Sequence, residues 1–559
     1  MKNLTPMQAA YWTGRQTKGF LGNVAPHLYV EFECGNIDPE RLGAAIRKLY
    51  EIHGMLRMHI SVDGMQSIGK NKESVAFEVE DLRCKIPEKL GPHLSAKRRA
   101  WTNSSRDLMQ GQPAAFGLSL LPDGQTRLHV DTDMTAIDPP SFCVLMEDLA
   151  RFYEAPDERH KGPQSGYFEW LERKNADPDL AERYAVDKRW WQKNVDKIAP
   201  PPKLKYNHGA RFVESGRLAA SLGPAERQSL ERAARGLRIT TSSLLLGLFA
   251  AVIGQTAQSD HFRLNVPMFW RPPYTRDTER LVGDFSNVVI LSVEPKADDT
   301  LKAVCEQVAG RMTDLLAHSA YPGVNVMRDL SRARKAMEIA PVVFTSGVDV
   351  PGGRLFSSRV SRVFGPMTWA ISQGPQVALD AQVAAVDDGI LINWDIRYDA
   401  LPRDWVATAF EAFVSLLREV AEDPDRLDDV FVPAGPKGRC GGTAEGYTDQ
   451  MLRALLERQS GGADVVGGNR ISDLDLGNDD LAAVLAFINT YIPASGLVLS
   501  DIGRETTATE LAAVILNRSS GASETVGRAY LEATGAINAA PVVATPSHSA
   551  CREHLPETP

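Results

Sequence analysis

The sequence predicts a mixed α/β fold. Residues 28–32 alternate apolar and polar side chains as a half-buried strand does, and residues 42–49 then repeat apolar side chains at helical spacing. The pairing of strand and helix is repeated in the second half, where residues 262–268 and 288–293 have the pattern of strands. Because both element types recur along the chain, sheets covered by helices are expected.

The length of the chain predicts several units. At 559 residues it exceeds a single compact core, so two lobes and a smaller unit are expected. The proline-rich tract at residues 198–204 cannot continue a helix and marks a crossing between two halves. The predicted boundaries are residues 1–185 for an N-terminal lobe, 186–432 for a C-terminal lobe, 433–446 for a linker, 447–520 for a small helical unit and 521–559 for a flexible tail.

Composition and charge exclude several functional classes. The formal net charge of -9 offers no basic surface for nucleic acid or for an anionic membrane. The longest apolar stretch, residues 244–253, is far shorter than the roughly 20 residues that span a bilayer, and favours a buried helix. The six cysteines are scattered, without the spacing of a zinc site or the density of a secreted module. With no apparent signal peptide, we expect a cytoplasmic protein with reduced thiols.

The segment at residues 133–141, Asp-Met-Thr-Ala-Ile-Asp-Pro-Pro-Ser, is the most informative part of the chain. It follows a strand-like run at residues 127–130 and opens a helix-like run. Its second aspartate, Asp138, precedes a proline, and this pair is typical of a helix start. Residue types alone therefore explain half of the segment by helix capping.

A second segment predicts a β-hairpin. Strand-like residues 377–386 and 389–396 flank two aspartates at the turn. Asp380 is therefore expected on a strand.

The spacing of the first segment, Asp-x4-Asp-x2-Ser, resembles the signature of heterocyclization domains in nonribosomal peptide synthetases. Ordinary condensation domains carry His-His-x3-Asp-Gly at that place, and this chain contains no His-His pair. Residues 4–15 closely resemble the opening motif of the same family, Leu-Thr-x2-Gln-x-Ala-Tyr-x2-Gly-Arg. Further similar segments follow in the family's order, over roughly residues 1 to 425: 53–57, 271–273, 282–286, 341–346 and 372–380.

The resemblance implies two chloramphenicol-acetyltransferase-like lobes in a V, with a tunnel that carrier arms enter from opposite sides. Such domains bind no cofactor, because their substrates are thioesters on the phosphopantetheine of donor and acceptor carrier proteins. They join an acyl group to the amine of carrier-bound Cys, Ser or Thr. The side chain then attacks the new amide, and loss of water leaves a thiazoline or oxazoline.

The resemblance also implies which residues act. Ring closure needs removal of a proton and dehydration needs protonation of a leaving hydroxyl, so one carboxyl can serve both steps. Asp380 matches the acid/base aspartate of the family's Gln-x2-Gln-x2-Leu-Asp motif, in which Gln376 is the second glutamine. Thr345 matches a threonine expected to orient, by hydrogen bonding, either that carboxyl or the hemiaminal hydroxyl. A partly buried carboxyl beside a tunnel is expected to have a raised pKa; without the family, both residues are ordinary strand positions.

The aspartates of the first segment are expected to be structural. Asp133 and Asp138 would hold the tunnel floor through ion pairs and capping, and Ser141 would bond nearby backbone. Arg271 and Arg15 are both candidate partners. A metal site on the two aspartates is a poor alternative, because no histidine or further acid stands at ligand spacing nearby.

Several positions depart from the family's pattern, among them Gly54, which replaces a proline. Trp270 replaces an asparagine, while Gly374, Ala378 and Ala381 replace threonine, tryptophan and histidine around the proposed acid. We expect these losses to reshape the cavity beside Asp380.

The C-terminal unit resembles a carrier protein that has lost its attachment site. Residues 474–481 are similar to the carrier motif Leu-Gly-Gly-Asp-Ser-Leu, but Asp480 occupies the position of the serine that bears phosphopantetheine. A carboxylate cannot form that phosphodiester, so we predict a degenerate carrier. The alternative is a small three-helix domain with an acidic helix start.

Three functions remain open on the sequence. The leading one is a heterocyclization enzyme that acts in trans, since no adenylation domain is present to activate an amino acid. The second is an enzyme that only condenses, or that cyclizes in a variant way. The third is a non-catalytic scaffold that docks to a synthetase assembly.

Overall fold

The computed structural model of the chain divides into two units, Met1–Gly435 and Pro436–Pro559. In the first unit it describes residues 1–430 except 18–19, 71–74, 159–160, 208–212, 297, 350–353 and 387. In the second it describes residues 447–459, 471, 481, 484–485, 488–489, 506–507, 510–512 and 514–515.

The strands of the described residues are β1 Lys2–Asn3, β2 His27–Cys34, β3 Met58–Ile60, β4 Met65–Ile68, β5 Phe77–Asp81, β6 Ala114–Leu120, β7 Thr126–Asp133, β8 Ser215–Leu222, β9 Phe262–Phe269, β10 Ser286–Val293, β11 Val342–Gly347, β12 Met367–Gln373, β13 Leu379–Val386 and β14 Gly389–Arg397. The helices are α1 Pro6–Gln16, α2 Pro39–Ile52, α3 Pro87–Thr102, α4 Pro139–Glu154, α5 Tyr167–Asn175, α6 Pro178–Asn194, α7 Pro224–Gly236, α8 Thr241–Thr256, α9 Leu301–Ala317, α10 Gly323–Arg334, α11 Ser358–Phe364, α12 Arg403–Glu422 and α13 Tyr447–Gln459.

Two large sheets organise the first unit. The first lobe contains a five-stranded sheet in the order β12-β2-β7-β6-β5, in which only β5 and β6 run parallel. The second lobe contains a six-stranded sheet in the order β10-β9-β11-β13-β14-β8, in which β11 runs parallel to both neighbours. The prediction of a mixed α/β protein with two lobes is confirmed.

The second lobe is built around helix α8, which is apolar on every side. Its residues 244–253 are all buried, as the apolar run predicted. Phe249 of this helix packs edge to face against Trp394 of β14 and Phe413 of α12. Because an apolar helix of this kind must be covered on all sides, the sheet packs against one side of α8 and the outer helices pack against the other.

Strand β13 presents one face to this core and the other to a cavity. Its burial alternates residue by residue, with Leu379, Ala381 and Val383 buried and Asp380 and Gln382 on the opposite face. The predicted hairpin with β14 is confirmed, and its pairing places Asp380 on the strand as expected.

One segment of the chain crosses from the second lobe into the first. After β11, helix α11 buries Val360 and Phe364 in the core of the first lobe, and β12 pairs with β2 at the edge of its sheet. The boundary between residues 185 and 186 stays a prediction. The segment with α11 and β12 follows β11 of the second lobe in the chain but packs in the first lobe.

In the second unit, helix α13 contributes Met451, Leu452, Leu455 and Leu456 to an apolar core that also contains Ile471, Val484, Leu485, Ile488, Leu511, Ala512 and Ile515. Asp480, the linker at residues 433–446 and the tail at residues 521–559 lie outside the described residues. The prediction of a degenerate carrier stays a prediction.

No single helix of the described residues is long and apolar enough to cross a membrane, although α7 and α8, bent by 94°, satisfy the length and composition as a pair.

Candidate active site

A cavity of about 810 Å³ lies in the first unit. Met7 of α1 and Phe142 of α4 line it, as do Thr345 of β11 and Asp380 of β13 from the open face of the second sheet. Its volume is within the range of small-molecule sites. The proposed acid and its proposed partner are therefore brought to one cavity.

Asp380 and Thr345 are hydrogen-bonded to each other. Thr345 Oγ1 donates to Asp380 Oδ1 at 3.1 Å, and Gln382 Nε2 donates to Asp380 Oδ2 at 2.8 Å. Burial raises the pKa of Asp380 to about 6, against the hydrogen bonds from Gln382, Thr345 and Ser372, which lower it. A carboxyl with this pKa can both accept and donate a proton near neutral pH.

A second carboxyl stands beside the first. Asp395 of β14 is the pairing partner of Asp380, and the same Gln382 Nε2 donates to Asp395 Oδ2 at 2.9 Å. The backbone N–H of Ser372 donates to that oxygen at 2.6 Å. Burial, with the neighbouring charge of Asp380, raises the pKa of Asp395 to about 8 against the lowering effect of Arg217.

Sequence reasoning missed Asp395, although a signal was present. In the apolar strand Gly389–Arg397, the polar residues Asn393, Asp395 and Arg397 stand at every second position. This spacing puts their side chains on one face of the strand. The strand is the second arm of the hairpin that contains Asp380. Because Asp380 and Asp395 are directly paired, their side chains lie on the same face of the sheet.

The first aspartate of the Asp-x4-Asp-x2-Ser segment is buried behind the cavity wall. Arg15 Nη1 lies 2.9 Å from Asp133 Oδ2, and the backbone N–H of Thr135 donates to Asp133 Oδ1 at 2.9 Å. Burial raises the pKa of Asp133 even though Arg15 opposes the shift. The ion pair links α1 to the end of β7.

The second aspartate ties the lobes together. Asp138 Oδ1 caps α4 by accepting from the backbone N–H of Ser141 at 2.8 Å, and it also accepts from Arg271 Nη2 at 2.7 Å. Asp138 Oδ2 accepts from the backbone N–H of Phe285 at 2.9 Å. Ser141 Oγ donates to the carbonyl of Gly283 at 2.8 Å. Arg15 is therefore the partner of Asp133, and Arg271 is the partner of Asp138. Neither aspartate lines the cavity.

The opening motif forms a helix start that reaches both lobes. Thr5 and Gln8 make a capping box at α1. Thr5 Oγ1 also donates to Asp284 Oδ2 at 3.0 Å, and Gln8 Nε2 donates to the carbonyl of Thr135 at 2.9 Å. These bonds position Tyr11, which lines the cavity.

Gln376 lies in the turn between β12 and β13. Its φ of 65° is left-handed, and its backbone N–H donates to the carbonyl of Leu21 at 2.7 Å. The turn packs on α1, where a Cβ at Gly14 would come within 2.6 Å of Pro375. Gln376 lines the cavity.

The expected effect on the cavity is wrong for Ala381, which is buried in the core of the second lobe on the face of β13 opposite Asp380. Ala378, which precedes β13, is buried in the same core and does not line the cavity. Gly374 does line the cavity. The ammonium nitrogen of Lys174 lies 5.8 Å from the centre of the Trp270 ring, and Trp270 does not line the cavity.

No group of three His, Cys, Asp or Glu side chains in the described part of the chain is placed to hold a metal ion.

Comparison with known proteins agrees with this geometry. A family model described as a condensation domain matches residues 1–430. Phenyloxazoline synthase MbtB of Mycolicibacterium paratuberculosis is 35% identical over 536 residues, which cover 93% of this chain and 45% of that protein. Pyochelin synthetase PchE of Pseudomonas aeruginosa is 30% identical over 460 residues, which cover 82% of this chain and 31% of that protein.

A solved structure shows the same fold. The cyclization-docking bidomain of the EpoB nonribosomal peptide synthetase from Sorangium cellulosum has a TM-score of 0.68 and 25% identity, over 76% of this chain and 85% of that one. The chain spans less than half the length of the two curated relatives. With a family model matched over residues 1–430, the chain belongs to the condensation-domain family.

Proposed function

We propose that this chain is a heterocyclization enzyme of a nonribosomal peptide synthetase. It condenses a carrier-bound acyl thioester with carrier-bound Cys, Ser or Thr, and it then closes and dehydrates the product to a thiazoline or oxazoline. The observation that carries the proposal is the hydrogen bond of 3.1 Å between Thr345 Oγ1 and Asp380 Oδ1 at the wall of the cavity.

Asp380 acts twice in the ring-forming half of the reaction. It accepts the proton of the thiol or hydroxyl as that group attacks the amide carbonyl. It returns the proton to the hydroxyl of the cyclic intermediate, which leaves as water. A pKa of about 6 suits both transfers near neutral pH.

Thr345 and Gln382 hold the carboxylate in place. Each donates to a different oxygen of Asp380, which fixes the plane of the carboxyl group toward the cavity. Apolar side chains such as Met7, Phe142 and Phe269 line the rest of the wall. These side chains keep bulk water out of the site in which the dehydration step takes place.

The substrates and partners follow from this chemistry. Donor and acceptor carrier proteins present their thioesters to the enzyme on phosphopantetheine. The name of the relative phenyloxazoline synthase supports an oxazoline as one class of product. The phosphopantetheine belongs to the carriers, and the proposed steps use only side chains of this chain.

Intact mass spectrometry of the acceptor carrier tests the proposal. The full chain is incubated with a donor carrier that bears a benzoyl thioester and with an acceptor carrier that bears Cys, Ser or Thr. Transfer followed by loss of one water supports the proposal. Transfer without loss of water with all three acceptors would mean condensation alone, and no transfer would leave a non-catalytic scaffold.

A further inference from the structure

Two carboxyls, a partly buried one at the cavity wall and a buried one behind it, face each other across the hairpin of β13 and β14. Asp380 and Asp395 are paired in the register, and one side-chain amide, Gln382 Nε2, donates to Asp380 Oδ2 at 2.8 Å and to Asp395 Oδ2 at 2.9 Å. Asp395 is only 4% exposed. The bridge joins the proposed acid to a group that does not itself line the large cavity.

The nearby cations form no direct ion pair with these two carboxyls in the described part of the chain, although the charge of Arg217 lowers the pKa of Asp395. Arg217 of β8 is the other pairing partner of Asp395, but its guanidinium donates to the carbonyl of Ala370 and lies 5.3 Å from the centre of the Trp369 ring. Arg397, two residues along β14, is paired with Asp399. In the described part of the chain neither Asp380 nor Asp395 makes an ion pair.

Two negative charges that share one amide donor, one of them on the buried Asp395, repel each other and are unfavourable. A single proton removes the repulsion, and the bridging amide can then donate to one carboxylate and one neutral carboxyl. The structure therefore favours a pair that carries one charge.

We propose that Asp395 is a positioning residue for cyclodehydration: as the neutral member of the pair, bound through Gln382, it keeps Asp380 as the charged member that exchanges protons with the substrate. The inference rests on the proposed function of Asp380. Asp395 retains its own proton throughout, so the transferred proton still passes only from the nucleophile to Asp380 and then to the departing water.

The order of the two pKa values agrees with these roles. The pKa of Asp380 is raised to about 6 and that of Asp395 to about 8, so between these values the pair holds one proton. Above that range Asp395 also becomes charged. The added charge strengthens the hold of Asp380 on its proton, so return of that proton to the leaving hydroxyl slows.

The test is the pH profile of water loss by the full chain, measured with the benzoyl donor and the acceptor that the wild type dehydrates. In the wild type, water loss should rise through about pH 6 and fall above about pH 8. In Asp395→Asn the fall should disappear or move by at least about one pH unit, while the rise remains. Amide formation should change by no more than about twofold, because it does not use Asp380.

Asp187→Asn is the matched control. Asp187 is a buried carboxyl bonded to His318 at 3.2 Å, and it does not line the cavity. Its replacement should leave both limbs of the profile in place.

The outcomes separate the two proposals. No water loss by the wild type overturns the proposed function and this inference with it. Water loss by the wild type without a fall at high pH, or with a fall that Asp395→Asn retains, overturns the inference alone. If Asp395→Asn does not fold, Gln382→Met cuts the bridge instead, and a fall left in the same place overturns the inference.

Discussion

Asp133 and Asp138 each face a guanidinium, whereas Asp380 and Asp395 receive hydrogen bonds only from neutral donors. Asp133, Asp138 and Asp395 are all buried, so burial alone does not separate the two groups. The difference is the partner. A guanidinium fixes the orientation of its carboxylate through a direct, charge-assisted contact, and such pairs stabilise structure.

The neutral donors around the cavity have a different consequence. A hydroxyl and an amide orient the carboxyl of Asp380 without removing the cost of its charge, so the proton can be taken up and released near neutral pH. Within one chain, the aspartates of the most recognisable motif hold the frame, since Asp133 ties α1 to β7 and Asp138 ties the two lobes together. Asp380, which lies on a strand at the cavity wall, is the aspartate to which we assign the proposed chemistry.

The largest effect is expected for Asp380→Asn. An amide keeps the size of the side chain but cannot exchange the proton, so water loss should fall at least about 100-fold while amide formation continues. Intact mass spectrometry of the acceptor carrier distinguishes the uncyclized from the cyclized product.

Asp388→Asn is the control for this change. Asp388 is exposed in the turn at the end of the same strand and has a φ of 65°, which asparagine tolerates. Unchanged water loss in Asp380→Asn would remove the acid/base role from this residue.

Arg271→Met should mainly cost stability. It leaves Asp138, which is 1% exposed, without its ion pair at the lobe junction. Breaking such a buried pair costs about 3 kcal/mol, so the urea midpoint of the first unit should fall. Amide formation and water loss should decline in parallel, because the change affects the frame that both steps share.

Arg332→Met is the control, since that arginine is exposed and pairs with Asp329 on the surface. A selective loss of water release in Arg271→Met, at unchanged stability, would contradict the structural assignment.

Much of this site was predictable from the sequence, because the motifs carry it. The strand position of Asp380 and its proximity to Thr345 follow from the hairpin pattern and from the resemblance. Asp395 was missed because it belongs to no recognised motif and becomes relevant only through strand pairing. Ala381 was assigned to the wrong side because one step along a strand reverses the face, and the family comparison does not display that alternation.

The charge on Asp395 should also appear in the stability of the fold. Its pKa is about 8 in the folded protein against 3.8 ordinarily, so the folded state binds the extra proton between these values. The stabilisation is complete below about pH 4 and is lost as pH rises through about 8. Relative to Asp395→Asn, the wild type should therefore lose about 1 kcal/mol of unfolding free energy per pH unit between these limits.

Urea titrations of both proteins at several pH values measure this difference. If the unfolding free energies of the two proteins change in parallel with pH, Asp395 is charged at neutral pH in the folded protein. Asp380 would then be the one aspartate of the four for which neutral donors allow a proton to be taken up near neutral pH.

The smallest effect is expected for Thr345→Val, which removes one hydroxyl and keeps the shape of the side chain. Asp380 loses a hydrogen bond that favours its charged form, so its pKa should rise and the acid limb of the profile should move to higher pH. A hydrogen bond to a charged group is worth about 1.5 kcal/mol, which predicts about a tenfold slower water loss. Thr345→Ser keeps the hydroxyl and should retain most of the rate. If serine and valine are equally slow, the methyl group and not the hydroxyl is what the site requires, and the orientation of Asp380 must then come from Gln382 alone.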